Sequence, residues 1–266
     1  MSVRIATVGD NCIDHYLPPV DRKLVGGNAV NVAVNLLRLG HQAAYFGAVG
    51  EDAEGLRTRT VLARLGVDVT AVKVITPGRT SLTVIATTPD GDRHFVAEDF
   101  GVCRGYRPDD QDLQRLKAMK HVHIGWLDDA GATKRALAQA GVSVSQDLSV
   151  NAEPRNIAPD SLAIAFVSCD GDDAEARSVL DRTLAQGALA AVVMRGPRGS
   201  LACAGGDVFR GTALPVVVRD TTGAGDSFIS GFLAAHVTGK PVADCLAGGH
   251  DAAARTCQIF GGFEQD

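Results

Sequence analysis

The sequence predicts a three-layer α/β fold in which helices cover both faces of a doubly wound, mostly parallel β-sheet. Short β-rich runs alternate with helical patterns along most of the 266 residues, which is typical of β-α-β units. Between about residues 67 and 104, strand patterns follow one another without helices. We therefore expect a single domain over residues 1–266, from which a small β-sheet projects as a lid, formed mainly by residues 67–104.

Hydrophobic periodicity and turn residues predict the elements in order. Before the lid region we predict strands at 3–8 and 43–49 and helices at 28–39 and 53–65. Within it we predict strands at 69–75, 81–87 and 93–97, with a tight turn at 89–92. After it we predict strands at 121–124, 142–146, 162–167, 188–194 and 216–219, a hairpin at 201–209, and helices at 109–119, 129–139, 172–186, 224–237 and 242–258.

Composition limits the possible function classes. The formal net charge is -5, which weighs against binding to nucleic acids or anionic membranes. None of the six cysteines forms a C-x-x-C pair, so we expect reduced thiols. The amino terminus lacks the long apolar segment of a signal peptide, and no apolar run is long enough to span a bilayer. These features favour a cytoplasmic protein with small-molecule partners, no nucleic acid and no membrane.

The segment Asp-Thr-Thr-Gly-Ala-Gly-Asp at 220–226 immediately precedes an apolar helix. Gly223, Ala224 and Gly225 let backbone N–H groups face a ligand at the helix N-terminus, and this arrangement binds anions. A carboxylate beside a bound phosphate repels it, so Asp226 is unusual unless it acts there by accepting the proton of an attacking hydroxyl. The alternative is that Asp226 only stabilises the helix through its interaction with the positive end of the helix dipole.

Polar residues also follow the first predicted strand, at the sheet edge where ligands bind in open α/β folds. Asp10 and Asp14 offer carboxylates suited to sugar hydroxyls. Gly26 and Gly27 then open a helix and let the backbone approach a ligand, and Asn31 can reach back toward it. The alternative is an ordinary turn followed by a plain helix N-cap.

Together these segments resemble the ribokinase-like (phosphofructokinase B-type) family of ATP-dependent sugar kinases. Gly-Gly-x-x-x-Asn at 26–31 and its helix resemble the family's first signature, and Asp-Thr-x-Gly-Ala-Gly-Asp at 220–226 resembles the second. The resemblance covers essentially the whole chain, and the projecting strands resemble the family's substrate lid. It implies an ATP-dependent carbohydrate kinase that uses Mg²⁺.

The resemblance also implies roles for individual residues. Asp226 is the expected catalytic base, and Gly223, Ala224 and Gly225 are the expected anion hole. The implied sugar contacts are Asp14, Gly26, Gly27 and Asn31. The implied ATP-binding turn contains Arg195, Gly196 and Gly199, and His250 borders the adenine. Asp220 and Thr222 match positions that in some members help to hold a monovalent cation such as K⁺.

The chain departs from the family at the segment that helps to organise Mg²⁺. The family has Asn-x-x-Glu there, whereas residues 168–172 are Ser-Cys-Asp-Gly-Asp, and Asp172 takes the place of the glutamate. Met194 stands where a threonine is usual. Only 11 residues separate Asp14 from Gly26, fewer than family members with a two-part lid need.

A narrower resemblance, at residues 9–14, 26–34 and 223–234, is to the fructoselysine 6-kinase branch of the family. It implies phosphorylation of O6, a primary hydroxyl, on a fructosamine, a sugar joined to an amine, for which Asp10, Glu98 and Asp99 offer an acidic pocket. The alternatives are a kinase of ribose, fructose, ketodeoxygluconate or a nucleoside, and a non-catalytic sugar or nucleotide sensor on the same fold.

The sequence allows two roles for each of two further residues, Arg93 and Trp126. Arg93 on the lid either protects an exposed strand edge or contacts the substrate. Trp126, after the strand at 121–124, either lines the cleft or packs in the core. The exposed edges of the lid strands favour a homodimer that pairs two lids.

Overall fold

The computed structural model describes residues 2–88 and 93–265, which form fourteen β-strands and seven α-helices. The strands are β1 (Arg4–Val8), β2 (Cys12–Tyr16), β3 (Arg22–Gly26), β4 (Gln42–Phe46), β5 (Ala48–Gly50), β6 (Lys73–Ile75), β7 (Leu82–Thr87), β8 (Arg93–Asp99), β9 (His121–Ile124), β10 (Ser143–Asp147), β11 (Ile164–Ser168), β12 (Ala190–Met194), β13 (Ser200–Ala204) and β14 (Asp207–Gly211). The helices are α1 (Asn28–Arg38), α2 (Ala53–Leu65), α3 (Asp110–Lys117), α4 (Ala132–Gln139), α5 (Asp173–Ala185), α6 (Ala224–His236) and α7 (Val242–Thr256).

Eight strands build the main sheet in the order β14-β13-β12-β11-β10-β9-β1-β4. The strands from β12 to β4 are parallel, and β13 and β14 add an antiparallel hairpin at one edge. The chain runs from β1 outward to β4 and returns to β9 on the other side of β1. In such sheets, ligands bind beyond the carboxyl ends of the strands at this switch point.

Apolar side chains on the two faces of the main sheet form two separate cores. Successive strand residues point to opposite faces, so Ile5 and Ala6 of β1 belong to different cores. One core contains Leu116 of α3 and Leu137 of α4. The other packs against α1, α6 and α7. This confirms the predicted three-layer, doubly wound and mostly parallel fold.

A second, four-stranded sheet has the order β3-β2-β7-β8, and we call it the small sheet. Two of its strands, β7 and β8, fall within the predicted lid region at 67–104. The other two, β2 and β3, are not among the predicted strands, because the polar residues up to Asp14 and the glycines at 26 and 27 were interpreted as ligand contacts. The 11 residues between Asp14 and Gly26 are sufficient for this part of the sheet, because β2 and β3 pair directly from Cys12 with Gly26 to Tyr16 with Arg22.

Several other expectations differ from the structure. Residues 216–219, all described, form no strand, and Val217 is 89% exposed beyond the last strand of the sheet. The strand predicted at 43–49 is split into β4 and β5, because the chain leaves the main sheet at Gly47 and β5 pairs with β6. Only residues 73–75 of the strand predicted at 69–75 are extended. The predicted turn at 89–92 lies outside the described residues.

Two observations concern membrane-spanning helices and the state of the cysteines. Within residues 2–88 and 93–265, no helix has both the length and the apolar character to cross a membrane. All six cysteines lie among the described residues and carry free thiols.

Candidate active site

The centre of the site is Asp226, in the first turn of α6. Gly223 precedes the helix in the left-handed region, at φ 74°, which a residue with a side chain rarely adopts. The carboxylate of Asp226 accepts one hydrogen bond at each oxygen, both at 2.7 Å. Asn28 donates to Oδ1 and Asn31 to Oδ2. Two amides from α1 therefore fix the carboxylate at the N-terminus of α6.

The surroundings raise the pKa of Asp226 from 3.8 to about 7. Removal from water is the main cause, and the charges of Asp147 and Asp10 act in the same direction. The hydrogen bond from Asn31 and the charge of Arg93 oppose the shift. A carboxylate whose pKa lies near neutral pH is a better proton acceptor for a hydroxyl than an ordinary aspartate.

Sequence reasoning missed Asp147, at the carboxyl end of β10, where its side chain is buried. The Nδ2 group of Asn28 donates to Asp147 Oδ2 at 3.0 Å as well as to Asp226, so one amide joins the two carboxyls. Ser149 N donates to Asp147 Oδ1 at 2.9 Å, and burial raises the pKa of Asp147 to about 6. The available signal was an acidic residue ending a strand beside the switch point.

Asp10 holds the start of α1 in place. Its carboxylate accepts hydrogen bonds from the backbone N–H groups of Asn28 at 2.8 Å, Ala29 at 3.3 Å and Trp126 at 3.0 Å. The contacts place Asp10 beneath the site as a support for its backbone. A direct contact of Asp10 with substrate stays a prediction.

Asp14 lies in β2, 4% exposed, and Cys12 Sγ donates to its Oδ1 at 3.1 Å. Burial raises the pKa of Asp14 to about 7. Gly26 is required beside it, because a Cβ at that position would lie 2.1 Å from Asp14 Oδ2. Gly27, at φ 104°, lies against the backbone of Asn11, which a Cβ would approach to 2.6 Å. The two glycines thus let β3 turn into α1 close to a buried carboxyl.

Two buried amide oxygens of the site have no hydrogen-bond partner among the described residues. They are Oδ1 of Asn28 and Oδ1 of Asn31, the same side chains whose nitrogens hold Asp226. Buried polar atoms are nearly always hydrogen-bonded, so such atoms call for a missing partner. Each oxygen would accept a hydrogen bond from a ligand hydroxyl or N–H group.

The segment 220–225 surrounds the start of α6. Ala224 N donates to Thr221 O at 3.2 Å, and Gly225 is exposed, with open space where its Cβ would stand except for Met194 Cε at 3.9 Å. The first N–H groups of a helix lack partners within the helix and attract anions. Arg93 of the small sheet donates to Thr221 O at 2.7 Å, which joins that sheet to the same segment.

Asp220 is fully buried, and both carboxylate oxygens are occupied by hydrogen bonds. Tyr16 OH and Gly261 N donate to Oδ2 at 2.6 and 2.8 Å, while Thr222 N and Oγ1 donate to Oδ1 at 2.9 and 2.8 Å. The network ties β2, the start of α6 and the carboxyl-terminal segment together. The monovalent cation expected at Asp220 and Thr222 stays a prediction.

The turn expected to bind ATP follows β12. Gly196 and Gly199 have φ angles of 54° and 85°, and a Cβ on Gly199 would lie 2.2 Å from Gly211 O, so glycine is needed for the turn. Arg195 is buried and pairs with Asp173 at 2.7 Å. His250 is also buried, shares a hydrogen bond with Ser200 Oγ at 2.8 Å, and has a pKa lowered by burial.

The expected magnesium residue has a structural contact. Asp172 is exposed and caps α5 by accepting a hydrogen bond from Glu175 N at 2.8 Å. No three His, Cys, Asp or Glu side chains within the part of the chain that the structure describes converge in a metal-binding group. The described side chains therefore offer no such group for Mg²⁺, and a role for Asp172 toward Mg²⁺ stays a prediction.

Comparison with known proteins identifies the family of the chain. The model of the pfkB family of carbohydrate kinases matches residues 14–146 and 158–264, which include both glycine-rich segments. The chain belongs to this family of carbohydrate kinases. It is an ATP-dependent sugar kinase, so the alternative of a non-catalytic sensor is set aside.

Within the family, the chain is 35% identical over 262 residues to fructoselysine 6-kinase of Escherichia coli (strain K12), covering 97% of this chain and 99% of that protein. It is 28% identical over 267 residues to a fructosamine kinase of Bacillus subtilis (strain 168), covering 98% and 93%. The fold matches that of Arabidopsis thaliana ribokinase, solved with ribose and ATP, with a TM-score of 0.86, 23% identity and coverage of 98% and 94%.

Proposed function

We propose that the chain transfers the γ-phosphate of ATP to O6 of a fructosamine such as fructoselysine. The observation that carries this proposal is the charge of the sugar site. The charge of Asp10 raises the pKa values of Asp14, Asp147 and Asp226, and that of Asp147 raises the pKa of Asp226, whereas the cation Arg93 opposes the shifts at Asp14 and Asp226. A fructosamine carries a protonated amine at neutral pH, and that positive charge suits such a site better than a neutral sugar does.

The proposed reaction needs one proton acceptor and several positioning groups. Asp226 accepts the proton of the O6 hydroxyl as that oxygen bonds to the γ-phosphorus and the bond from phosphorus to the leaving ADP breaks. Asp14 and Oδ1 of Asn31 bind sugar hydroxyls. Backbone N–H groups at Gly225 and Asp226 stabilise the transferring phosphoryl group. Mg²⁺, when bound with ATP, offsets the charge of its phosphates.

The small sheet is proposed to act as a lid over the sugar. Arg93 of β8 already contacts Thr221 at the start of α6, so the sheet reaches across the site. A closed lid excludes water and limits wasteful hydrolysis of ATP. ATP is proposed to lie along the carboxyl edge of the main sheet, against Arg195, Gly196, Gly199 and His250.

Asp226→Asn tests the proposed base. We expect kcat to fall about 10²–10⁴-fold, the usual contribution of general base catalysis, while ATP affinity stays within a few-fold of the wild-type value. The matched control is Asp181→Asn, which removes an exposed carboxylate of α5 that pairs with Arg177. Turnover by Asp226→Asn within tenfold of the wild-type enzyme would remove Asp226 from the mechanism.

A substrate panel tests the acceptor. ADP release would be measured with fructoselysine, other fructosamines, fructose, ribose, ketodeoxygluconate and nucleosides, and the phosphorylated position would be assigned by ³¹P and ¹³C NMR. We expect the highest kcat/KM with a fructosamine and phosphate on O6. A higher kcat/KM with a neutral sugar or a nucleoside contradicts the proposed substrate.

The exposed edge of the small sheet supports a homodimer. Strand β8 is an edge of the small sheet and exposes Phe95 by 53% and Val96 by 58%. Pairing of two such edges supports a homodimer, which light scattering would detect as twice the chain mass. A cytoplasmic location remains the expectation from the cysteine pattern.

A further inference from the structure

Two side chains of the small sheet bind the segment that leads into the N-terminus of α6. Tyr16 OH of β2 donates to Oδ2 of Asp220 at 2.6 Å, and both side chains are fully buried. Arg93 Nη1 of β8 donates to Thr221 O at 2.7 Å and to Thr221 Oγ1 at 3.0 Å. Two consecutive residues of the segment are therefore each held by the small sheet. Neither side chain takes part in the proton transfer described above.

We propose that Tyr16 and Arg93 are positioning residues, which hold residues 220–222 so that the first N–H groups of α6 face the transferring phosphoryl group. The inference rests on the proposed binding of that group at the N-terminus of α6, and it does not depend on which sugar is the acceptor. It gives the small sheet a role beyond covering the sugar, because the sheet also orders the phosphate-binding segment.

The hydrogen bonds within the segment connect these two contacts to the helix. Oδ1 of Asp220 accepts from N and Oγ1 of Thr222 at 2.9 and 2.8 Å, so the carboxylate fixes the turn that leads to Gly223. Thr221 O, which binds the guanidinium, also accepts from Ala224 N at 3.2 Å at the start of α6. A shift of residue 220 or 221 therefore redirects the N–H groups that follow. Such groups stabilise a transition state only when they are aimed at it beforehand.

Tyr16 has the environment of a hydrogen-bond donor. Burial and the charge of Asp220 raise the pKa of Tyr16, so its hydroxyl keeps its proton and donates to the carboxylate. The ring packs edge-on against Phe260, with 6.0 Å between centroids. Replacement of Tyr16 by phenylalanine therefore keeps the packing and removes one hydrogen bond, while Gly261 N still donates to the same oxygen at 2.8 Å.

The small sheet links these contacts to the proposed sugar site. Strand β2 carries Asp14 two residues before Tyr16, and side chains at this spacing in a strand lie on the same face. Strand β7 pairs with β2 on one side and with β8, which carries Arg93, on the other. A movement of the sheet that brings Asp14 to the sugar therefore also brings both positioning residues to the segment. Phosphoryl transfer is then supported only when the sheet is closed.

Tyr16→Phe and Arg93→Lys test the two residues separately. Lysine keeps the positive charge of Arg93 and loses the planar guanidinium. The acceptor is the sugar with the highest kcat/KM in the substrate panel. We expect kcat to fall about 10–10²-fold in each variant, the effect of misplacing groups at the reacting centre by up to about 1 Å. KM for ATP and for the sugar should stay within about threefold of the wild-type values, because the lost interaction acts on the transition state.

ADP with aluminium fluoride, which mimics the transferring phosphoryl group, gives a readout that a role in stability alone would not change. Calorimetric titration in the presence of Mg²⁺ and the same sugar measures the affinity for ADP alone and for ADP with aluminium fluoride. We expect wild-type enzyme to bind the mimic more tightly than ADP. In Tyr16→Phe and Arg93→Lys this gain should fall about tenfold, while the affinity for ADP alone stays within about threefold.

The chain offers a matched control for each variant. Tyr106→Phe removes the hydroxyl of a buried tyrosine that has no hydrogen-bond partner within residues 2–88 and 93–265. Arg79→Lys changes an arginine that pairs at 3.1 Å with Asp99, at the opposite end of β8 from Arg93. Both controls should keep the wild-type kcat and affinities. Thermal unfolding of each variant confirms that the comparison is made on folded protein.

The outcomes separate this inference from the proposed function. If wild-type enzyme binds the mimic no more tightly than ADP, the proposed anion hole and the inference both fail. If wild-type enzyme shows the gain, and Tyr16→Phe or Arg93→Lys keeps both the gain and kcat within twofold, the inference is wrong for that residue. A raised KM for the sugar with unchanged kcat also contradicts it. Arg93→Lys leaves the buried contacts of Asp220 intact, so it decides the question if Tyr16→Phe does not fold.

Discussion

Replacing Asp226 by asparagine should favour the folded protein more at alkaline pH than at acidic pH, while it removes turnover. The pKa of Asp226 is raised from 3.8 to about 7, mainly because the carboxyl is removed from water and lies near Asp147 and Asp10. In the unfolded chain the same carboxyl ionises near its ordinary value. Ionisation therefore favours unfolding, and asparagine, which carries no charge at any pH, removes that penalty.

The direction and size of the change in unfolding free energy follow from the two pKa values of Asp226, 3.8 in the unfolded chain and about 7 in the folded protein. Near pH 4 and below, Asp226 has little effect on the free energy of unfolding. As the pH rises from 4 to about 7, the carboxyl ionises in the unfolded chain before it ionises in the folded protein, so the free energy of unfolding decreases. Above about pH 7 the carboxyl is ionised in both states and the free energy of unfolding decreases no further. The change from 3.8 to about 7 corresponds to at most about 4 kcal/mol. Asp226 is only half-buried, so water screens part of it, and we expect about 1–3 kcal/mol.

Thermal unfolding followed by circular dichroism between pH 4.5 and 8.5 measures this difference. A gain of 1 kcal/mol raises the midpoint by about 2–4 °C in a chain of this size. The amide of Asp226→Asn can accept from only one of Asn28 and Asn31, which lowers its midpoint by the same amount at every pH. We therefore expect the midpoint of Asp226→Asn relative to wild-type protein to rise steadily from pH 4.5 toward pH 8, while Asp181→Asn shows a small difference that is flat with pH. A midpoint of Asp226→Asn that lies below the wild-type value by the same amount at every pH would refute the reasoning.

Two glycines give further predictions. Gly231→Ala places a Cβ 2.1 Å from Gly248 O, a backbone atom of α7 that cannot rotate away, so urea unfolding should show a loss of about 1–3 kcal/mol, whereas Gly105→Ala, with open space around its Cβ, should change little. Equal midpoints for these two variants would contradict the close packing of α6 on α7. Gly26→Ala places a Cβ 2.1 Å from Asp14 Oδ2, so displacement of that carboxyl should lower kcat/KM for the sugar about 10²-fold and leave KM for ATP unchanged. A change in KM for ATP alone would show that Asp14 does not serve the sugar.

The sequence predicts the main sheet well because its strands are buried and its helices are amphipathic. Local patterns are less informative where pairing depends on distant residues. Residues 216–219 are rich in valine, but β14 already ends the sheet and leaves them no neighbour, so β-propensity alone forms no strand. Strand β2 was not predicted from the sequence, because the polar Asp14 lies within it. Its pairing with β7 also joins segments about 70 residues apart, which a local pattern does not reveal.

The site was predictable to the extent that its residues lie in short motifs. Gly223–Asp226 and Gly26–Asn31 are contiguous, and the structure joins them through the amides of Asn28 and Asn31. Asp147 could not be found in this way, because a lone aspartate after a strand has many possible roles. Only the register of β10 beside β9, and of β9 beside β1, brings it to the same edge of the sheet.

The sequence contains one tryptophan, Trp126, and its ring stacks on Phe100 with 4.3 Å between centroids and 19° between planes. Phe100 directly follows β8 of the small sheet, whereas Trp126 follows β9 of the main sheet and its backbone N–H binds Asp10. The proposed closure of the small sheet as a lid would change this aromatic contact. Intrinsic fluorescence excited at the indole band would then report that movement from a single native chromophore, and stopped-flow mixing with sugar or ATP would time it without an attached dye.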